Sequence, residues 1–290
     1  MSSAAAPLKL GTRGSPLALA QAAIVAAAID GAVELVTIVT SGDSGAASVE
    51  DKRRWIDKLE DALLADEIDL AVHSAKDLPA QLAVGLEIAG APERADPRDA
   101  LCGAPSLAAL PAGAQIGTSS LRRAAQLRAL RDDVEIVPIA GNIDTRLRRL
   151  GEGELDAIVL ACAGLTRLGR TLGAPLEELV PAAGQGTLVI EARRGDSRVG
   201  AALAAQRHAA TERQLHAERS LASALGADCH TPIGVHASSL GGGTLELRAF
   251  VGRADGSLWA RDSLVGDDPA SLAQALAARL RSVGVEGILA

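Results

Sequence analysis

Two rhythms of apolar and polar positions alternate along this chain, and their order predicts its class. Residues 8–10 form a short apolar run, and residues 16–29 carry the apolar spacing of a helix. Ser15 suits the N-cap of that helix and Pro16 its first turn. A strand is expected over 33–40, a Gly-, Ser- and Ala-rich loop over 41–49, and a helix over 52–65. Strands follow at 69–73 and 86–89, and a charged, twice proline-broken crossover at 92–97. A second block repeats the alternation: strand 115–117, helix 120–130, strand 134–139, helix 142–150, strand 157–160. The Pro- and Gly-rich tract 181–186 reads as a return crossover, followed by a strand at 187–192. After a helix over 208–225 the rhythm changes. Residues 235–238, 244–251 and 257–264 read as antiparallel strands, closed by a helix over 269–283.

Alternating strands and helices of these lengths imply mostly parallel sheets with right-handed crossovers. In such sheets ligands sit at the carboxyl ends of the strands. Three turns at those ends carry arginine: Gly11-Thr12-Arg13-Gly14-Ser15, Gly117-Thr118-Ser119-Ser120-Leu121-Arg122-Arg123, and Gly141-Asn142-Ile143-Asp144-Thr145-Arg146. A helix start offers unpaired N–H groups and partial positive charge, and an adjacent guanidinium adds a forked donor. Arg167 ends a comparable turn after the apolar run 157–160. Four such positions point to a ligand with several carboxylates or phosphates. The ordinary alternative is a set of capped helices with solvent-facing arginines, and it weighs most at Arg13 and Arg146.

Composition narrows the partner. The chain has 290 residues, 48% of them hydrophobic, and a formal net charge of −7. That balance argues against nucleic acid, which selects a basic face. It favours a small anion in a local cleft. Lysines are scarce, only Lys9, Lys52, Lys58 and Lys76 among 29 basic residues, so Lys76-Asp77 at the end of a buried run stands out. An acid beside a cation suits proton transfer or the holding of a cationic intermediate; a solvated strand end is the plain alternative. Three cysteines, Cys102, Cys162 and Cys229, form no CxxC and predict a reduced, cytoplasmic protein. No signal peptide is read at the N-terminus and no apolar run is long enough for a membrane span. No histidine pair has zinc spacing, so no metal is expected. Cys102 and Cys162 sit in apolar settings and are expected in the core. Cys229 lies in a loop, where a nucleophile or covalent anchor competes with a half-buried thiol. The sequence at 117–123 lacks the second glycine followed by Lys that a P-loop needs, and no Rossmann fingerprint is present.

Taken together and in order, these tracts resemble the porphobilinogen deaminase family. The matching segments are Thr12-Arg13-Gly14-Ser15-Pro16-Leu17-Ala18, Ala71-Val72-His73-Ser74-Ala75-Lys76-Asp77-Leu78-Pro79 and Glu93-Arg94-Ala95-Asp96-Pro97-Arg98-Asp99-Ala100. Gly117 to Arg123, Gly141-Asn142 with Thr145-Arg146-Leu147, Pro181 to Gly186, and Cys229 with Pro232-Ile233-Gly234 complete the set. The resemblance covers nearly the whole chain. It implies an α/β fold of two type II periplasmic-binding-protein-like lobes with mixed, mostly parallel sheets, the active site between them, and a small C-terminal α+β domain. The implied boundaries are 1–92 with 187–206, then 93–186, then 207–290.

The implied activity is a transferase that condenses four porphobilinogen molecules head to tail into hydroxymethylbilane, releasing ammonia. The chain grows on a dipyrromethane cofactor attached to Cys229. By the same resemblance, Asp77 is the catalytic acid, with Lys76 beside it. Arg13, Ser15, Lys52, Thr118, Ser119, Ser120, Arg122, Arg123, Arg146, Arg167 and Gln185 bind pyrrole carboxylates. A monomer that hands its product to uroporphyrinogen-III synthase is implied as well.

Two positions depart from the family. Ala140 stands where an arginine usually precedes Gly-Asn, and Glu50-Asp51-Lys52-Arg53-Arg54-Trp55 replaces a glycine-rich loop. Ala140 is the one support for a rival reading, a non-catalytic binder of a small polyanion. Such a binder needs neither an anchoring Cys229 nor Asp77. An arginine-dependent phosphate-transfer enzyme is a third reading, and it lacks both a P-loop and a magnesium-binding acid pair.

Overall fold

The structure, a computed structural model, describes residues 6–40, 56–227 and 231–289. Its strands and helices form where apolar runs and capping residues meet. β1 (Leu8–Thr12) leads into α1 (Pro16–Ala28), whose N-cap Ser15 accepts a hydrogen bond from the Ala18 N–H, with Pro16 in the first turn. β2 (Val33–Thr37) ends three residues before the expected limit. α2 (Asp57–Leu64), β3 (Leu70–Ser74) and β4 (Leu86–Gly90) follow. β5 (Asp99–Cys102) was not foreseen: it is only four residues long and follows directly on a proline-broken tract.

β6 (Gln115–Gly117), α3 (Leu121–Leu130), β7 (Glu135–Val137), α4 (Ile143–Gly151) and β8 (Ala157–Ala161) reproduce the predicted alternation. α5 (Cys162–Arg167) and β9 (Ala174–Leu176) are too short to show a period. β10 (Leu188–Arg193), α6 (Ser197–Leu203) and α7 (Ala209–Ala224) come next. β11 (Ile233–Gly241), β12 (Thr244–Gly252), β13 (Trp259–Gly266), α8 (Pro269–Ser282) and α9 (Val285–Leu289) close the described chain.

The chain forms two compact units, one from Met1–Arg94 and Thr187–Glu212, the other from Ala95–Gly186 and Arg213–Ala290. In the first, the strand order is β2-β1-β3-β10-β4, with β1 parallel to β2 and β3, and β10 antiparallel to β3 and β4. Leu10, Leu70, Val72 and Ile190 cover one face against Ala22 and Val25 of α1 and Val199 and Leu203 of α6. On the other face Ala71 and Leu86 pack with Leu59 and Leu63 of α2.

The second unit holds two sheets. One has the order β7-β6-β8-β5-β9, with β5 antiparallel to β8. It repeats the first unit's plan, three parallel strands followed by an inserted antiparallel one. The other sheet is the antiparallel meander β11-β12-β13. Leu245, Leu247 and Val251 pack there against Ala217 and Leu221 of α7 and Leu272, Leu276 and Leu280 of α8. Phe250 joins Ala125 and Val180 in a small core that seats the meander on α3.

The tract 181–186 runs as a strap between these two sheets. The Val235 N–H donates to Pro181 O at 2.8 Å, and Ala95 N–H donates to Gly186 O at 3.2 Å. Gly186 has a φ of +86°, and a Cβ there would lie 2.5 Å from Ala95 O. Both the left-handed backbone and the close approach require glycine. Gly186→Ala is therefore expected to cost about 2–4 kcal/mol of stability, measured by denaturant unfolding.

Candidate anion-binding and catalytic site

In the second unit, one sheet edge gathers most of the expected residues. The carboxyl ends of β6, β7 and β8 lie there, and so does the start of antiparallel β5, because Asp99 pairs with Ala161. Thr118 to Arg123 follow β6. Ser120 caps α3 by accepting from the Arg123 N–H, and Thr118 Oγ1 accepts from the Ser120 N–H. Ser119 is exposed, yet its hydroxyl donates to Ile139 O at 2.8 Å and accepts from Ile139 N–H at 3.0 Å, tying the second arginine turn to the third. Asn142 caps α4 through its accepted bond from Thr145 N–H at 2.9 Å.

Sequence reasoning expects Arg122 and Arg123 to bind carboxylates. In the structure both turn inward to Asp99, a residue the sequence reading did not single out. Arg122 Nη1 donates to Asp99 Oδ2 and to Val180 O, each at 2.8 Å. Arg123 donates to Asp99 Oδ1 from Nε at 3.0 Å and from Nη2 at 2.7 Å, and to Val159 O from Nη1 at 2.8 Å. Gln185 is buried here too, its amide donating to Pro97 O and, at 2.9 Å, to Asp99 Oδ1.

Asp99 has no exposed surface. Burial by itself would raise its carboxyl pKa; the charges and hydrogen bonds of Arg122 and Arg123 outweigh it and hold the carboxyl far below the usual range. Burial also lowers the Arg122 guanidinium, with Arg123 adding to the effect against the pull of Asp99. One carboxylate thus faces two cations. The signal available in the sequence was an acid at the first position of the apolar run Asp99-Ala100-Leu101-Cys102.

Arg146 and Arg167 complete the edge. Arg146 donates from Nε to Gly141 O at 2.8 Å, and Arg167 donates from Nη2 to Gly186 O at 2.7 Å. Neither has a carboxylate partner among the described residues. Arg146 is lowered by desolvation and by the charge of Arg123, and Arg167 is lowered by desolvation to about 10. A half-buried guanidinium without a counter-ion is electrostatically costly, and an anionic ligand relieves that cost. Ala140 is exposed at the start of the third turn, where no side chain adds charge.

The first unit has its own carboxyl edge. Thr12 is buried and its hydroxyl donates to Ala18 O at 3.1 Å, which fixes the turn holding Arg13 and Ser15. Lys76 and Asp77 lie on a single 3₁₀ turn, Ala75–Asp77, directly after β3. The Ala75 N–H donates to Thr187 O at 3.0 Å, so β10 anchors that turn. Asp77 is exposed and Lys76 half-buried. Lys52 and Cys229 lie outside the described residues. Cys102 and Cys162 are buried free thiols, and burial first of all raises both, Cys162 to about 12. Neither is a thiolate near neutral pH.

Two sheets of like strand order, one with a cationic edge, and a separate antiparallel meander define an α/β protein. Residues 8–201 match the family model described as porphobilinogen deaminase, dipyromethane cofactor binding domain, and residues 213–282 the one described as its C-terminal domain. The porphobilinogen deaminase of Rubrobacter xylanophilus is 45% identical, covering 97% of this chain and 96% of its own. That of Syntrophus aciditrophicus is 42% identical, covering 96% of each. Among solved structures, immunogenic lipoprotein A from Vibrio vulnificus superposes with a TM-score of 0.45 at 16% identity, over 71% of this chain and 96% of that one.

The chain belongs to the porphobilinogen deaminase family. The family activity is that of hydroxymethylbilane synthase, a transferase of porphyrin and haem biosynthesis, and its cofactor is dipyrromethane. The residues present fit that group: Arg146 and Arg167 lack a carboxylate partner among the described residues, and the cofactor is rich in carboxylates.

Asp99→Asn leaves two buried guanidiniums without a counter-ion and is expected to cost about 3–5 kcal/mol. Because the native pKa is depressed, this contribution is complete above the unfolded carboxyl value. It is lost as pH falls toward the native one. The stability gap between wild type and Asp99→Asn, from urea unfolding, should be constant above about pH 4 and narrow below it.

Proposed function

We propose that porphobilinogen is the substrate of this chain and that the residues gathered at the two strand edges divide its chemistry. The supporting observation is the pair Arg146 and Arg167, half-buried and without a carboxylate partner among the described residues. Each pyrrole unit brings an acetate and a propionate, so a growing chain is a polyanion. In the second unit Arg146 and Arg167 receive those carboxylates with forked hydrogen bonds. Arg122 and Arg123, with Thr118, Ser119, Ser120 and Gln185, shape that edge, and the charge that Asp99 does not cancel adds to its positive field. In the first unit Arg13 and Ser15 bind carboxylates from the turn after β1.

Asp77 is the catalytic carboxyl. It accepts a hydrogen bond from the substrate's pyrrole N–H, steadies the positive charge that develops as the carbon–nitrogen bond breaks, and hands a proton to the departing amine. Lys76 beside it balances the charge of Asp77 and offers a further carboxylate contact. The bound dipyrromethane supplies the nucleophilic pyrrole carbon on which elongation starts. Cys229 holds it by a thioether, which keeps the reacting end at high effective concentration. Lys52 assists from the 41–55 segment.

Three domains, 1–92 with 187–206, 93–186 and 207–290, belong to the same reading, each built around one of the three sheets. So do a monomeric state, a cytoplasmic location and a hand-off of the product to uroporphyrinogen-III synthase. No described helix is long and apolar enough to cross a membrane.

The protein incubated with porphobilinogen should release one ammonia per porphobilinogen consumed and accumulate a linear tetrapyrrole. Asp77→Asn should lower kcat by about three orders of magnitude or more while leaving the melting temperature near that of wild type. Near-normal turnover in Asp77→Asn would remove Asp77 from the catalytic role, and wild type that consumes no porphobilinogen would remove the whole reading.

A further inference from the structure

Among the described residues of the second unit, two carboxylates have no exposed surface: Asp99 and Glu218. Glu218 lies on α7 and takes no part in the chemistry above. Its Oε2 accepts the Gly184 N–H at 2.6 Å and its Oε1 accepts the Ala237 N–H of β11 at 2.7 Å. His236 Nδ1 lies 3.3 Å from Oε1. A carboxylate is an acceptor at both oxygens, so it satisfies two N–H donors at once. An amide in its place would turn its own NH₂ toward one of them.

Gly184 is the middle of the strap, with a φ of +74°. Beyond it the strap meets the cationic edge twice. The Gln185 amide donates to Asp99, and Gly186 O is the acceptor that fixes Arg167. Before it, Pro181 O is held by the Val235 N–H of β11. Glu218 therefore clamps the strap just before the two residues that hold the arginines, and it does so from the helix whose chain continues toward Cys229.

We propose that Glu218 is a positioning residue for the carboxylate site: by fixing Gly184 it sets the placement of Gly186 and Gln185, and through them of Arg167 and the Asp99 pair. The helix leading to the tether is thereby coupled to the guanidiniums that grip the tethered ligand. This rests on the proposed roles of Arg167 and Cys229.

The test compares wild type, Glu218→Gln, Arg167→Lys and the double variant by steady-state kinetics with porphobilinogen and by amide hydrogen exchange of the strap. Glu218→Gln should raise KM about tenfold with kcat changed far less, the mark of lost ligand binding. It should also speed exchange of the Gly184 and Gln185 amides. If Glu218 acts through Arg167, the KM increase of the double variant should fall well short of the product of the single increases. Unchanged KM in a folded Glu218→Gln, unchanged strap exchange, or increases that multiply in full would each overturn the proposal.

Should Glu218→Gln fail to fold, Gly184→Ala attacks the same bond from the strap side and must show the same KM rise and the same non-additivity; their absence overturns the proposal equally. Failure of the underlying functional reading shows elsewhere, in wild type that consumes no porphobilinogen.

Discussion

The second unit depends on one carboxylate placed between two guanidiniums. Asp99, without exposed surface at the start of β5, neutralises part of the charge of Arg122 and Arg123 and lets both lie inside the fold. Each arginine also donates to a main-chain carbonyl, Val180 O or Val159 O, so the network pins α3 to the strap region and to β8. Buried ions are tolerable only when nearly every donor and acceptor has a partner, and this cluster comes close to that condition. Its cost is offset by geometry: the strand edge keeps a surplus of positive charge at a fixed place.

That surplus explains why the exposed part of the edge suits a ligand of many carboxylates. Arg146 and Arg167 are half-buried and, among the described residues, meet only main-chain carbonyls, Gly141 O and Gly186 O. The carbonyls orient the guanidiniums without cancelling their charge. A ligand that brings several carboxylates is favoured over one that brings a single charge, because the cations are fixed in advance and little is reorganised on binding.

Much of this was legible in the sequence, and the failures have physical causes. The capped helix starts at Ser15, Ser120 and Asn142 were visible because N-capping needs a short polar side chain before a helical period. The meander and the closing α8 were visible in their alternation. β5, α5 and β9 were not, since a few residues show no period and tertiary pairing alone defines them. The inward turn of Arg122 and Arg123 was not legible because it depends on an acid more than twenty positions away in the chain, brought near by the antiparallel insertion of β5 between β8 and β9. The motif around Gln185 points to a ligand contact, and the burial of Gln185 beside Asp99 shows the structural duty that the motif also carries. Family-level recognition needed none of this detail, because it rested on the order of tracts along the whole chain.

The central claim is that the cationic edge serves a polyanion tethered to the chain itself. Peptide-mapping mass spectrometry of the protein, before and after brief mixing with porphobilinogen, tests it most directly. The account predicts that the peptide containing Cys229 carries the dipyrromethane mass at rest and gains mass in steps of one pyrrole unit after mixing, with Cys102 and Cys162 unmodified. A Cys229 peptide of unmodified mass in both samples, in protein that cannot be loaded by porphobilinogen, would contradict it.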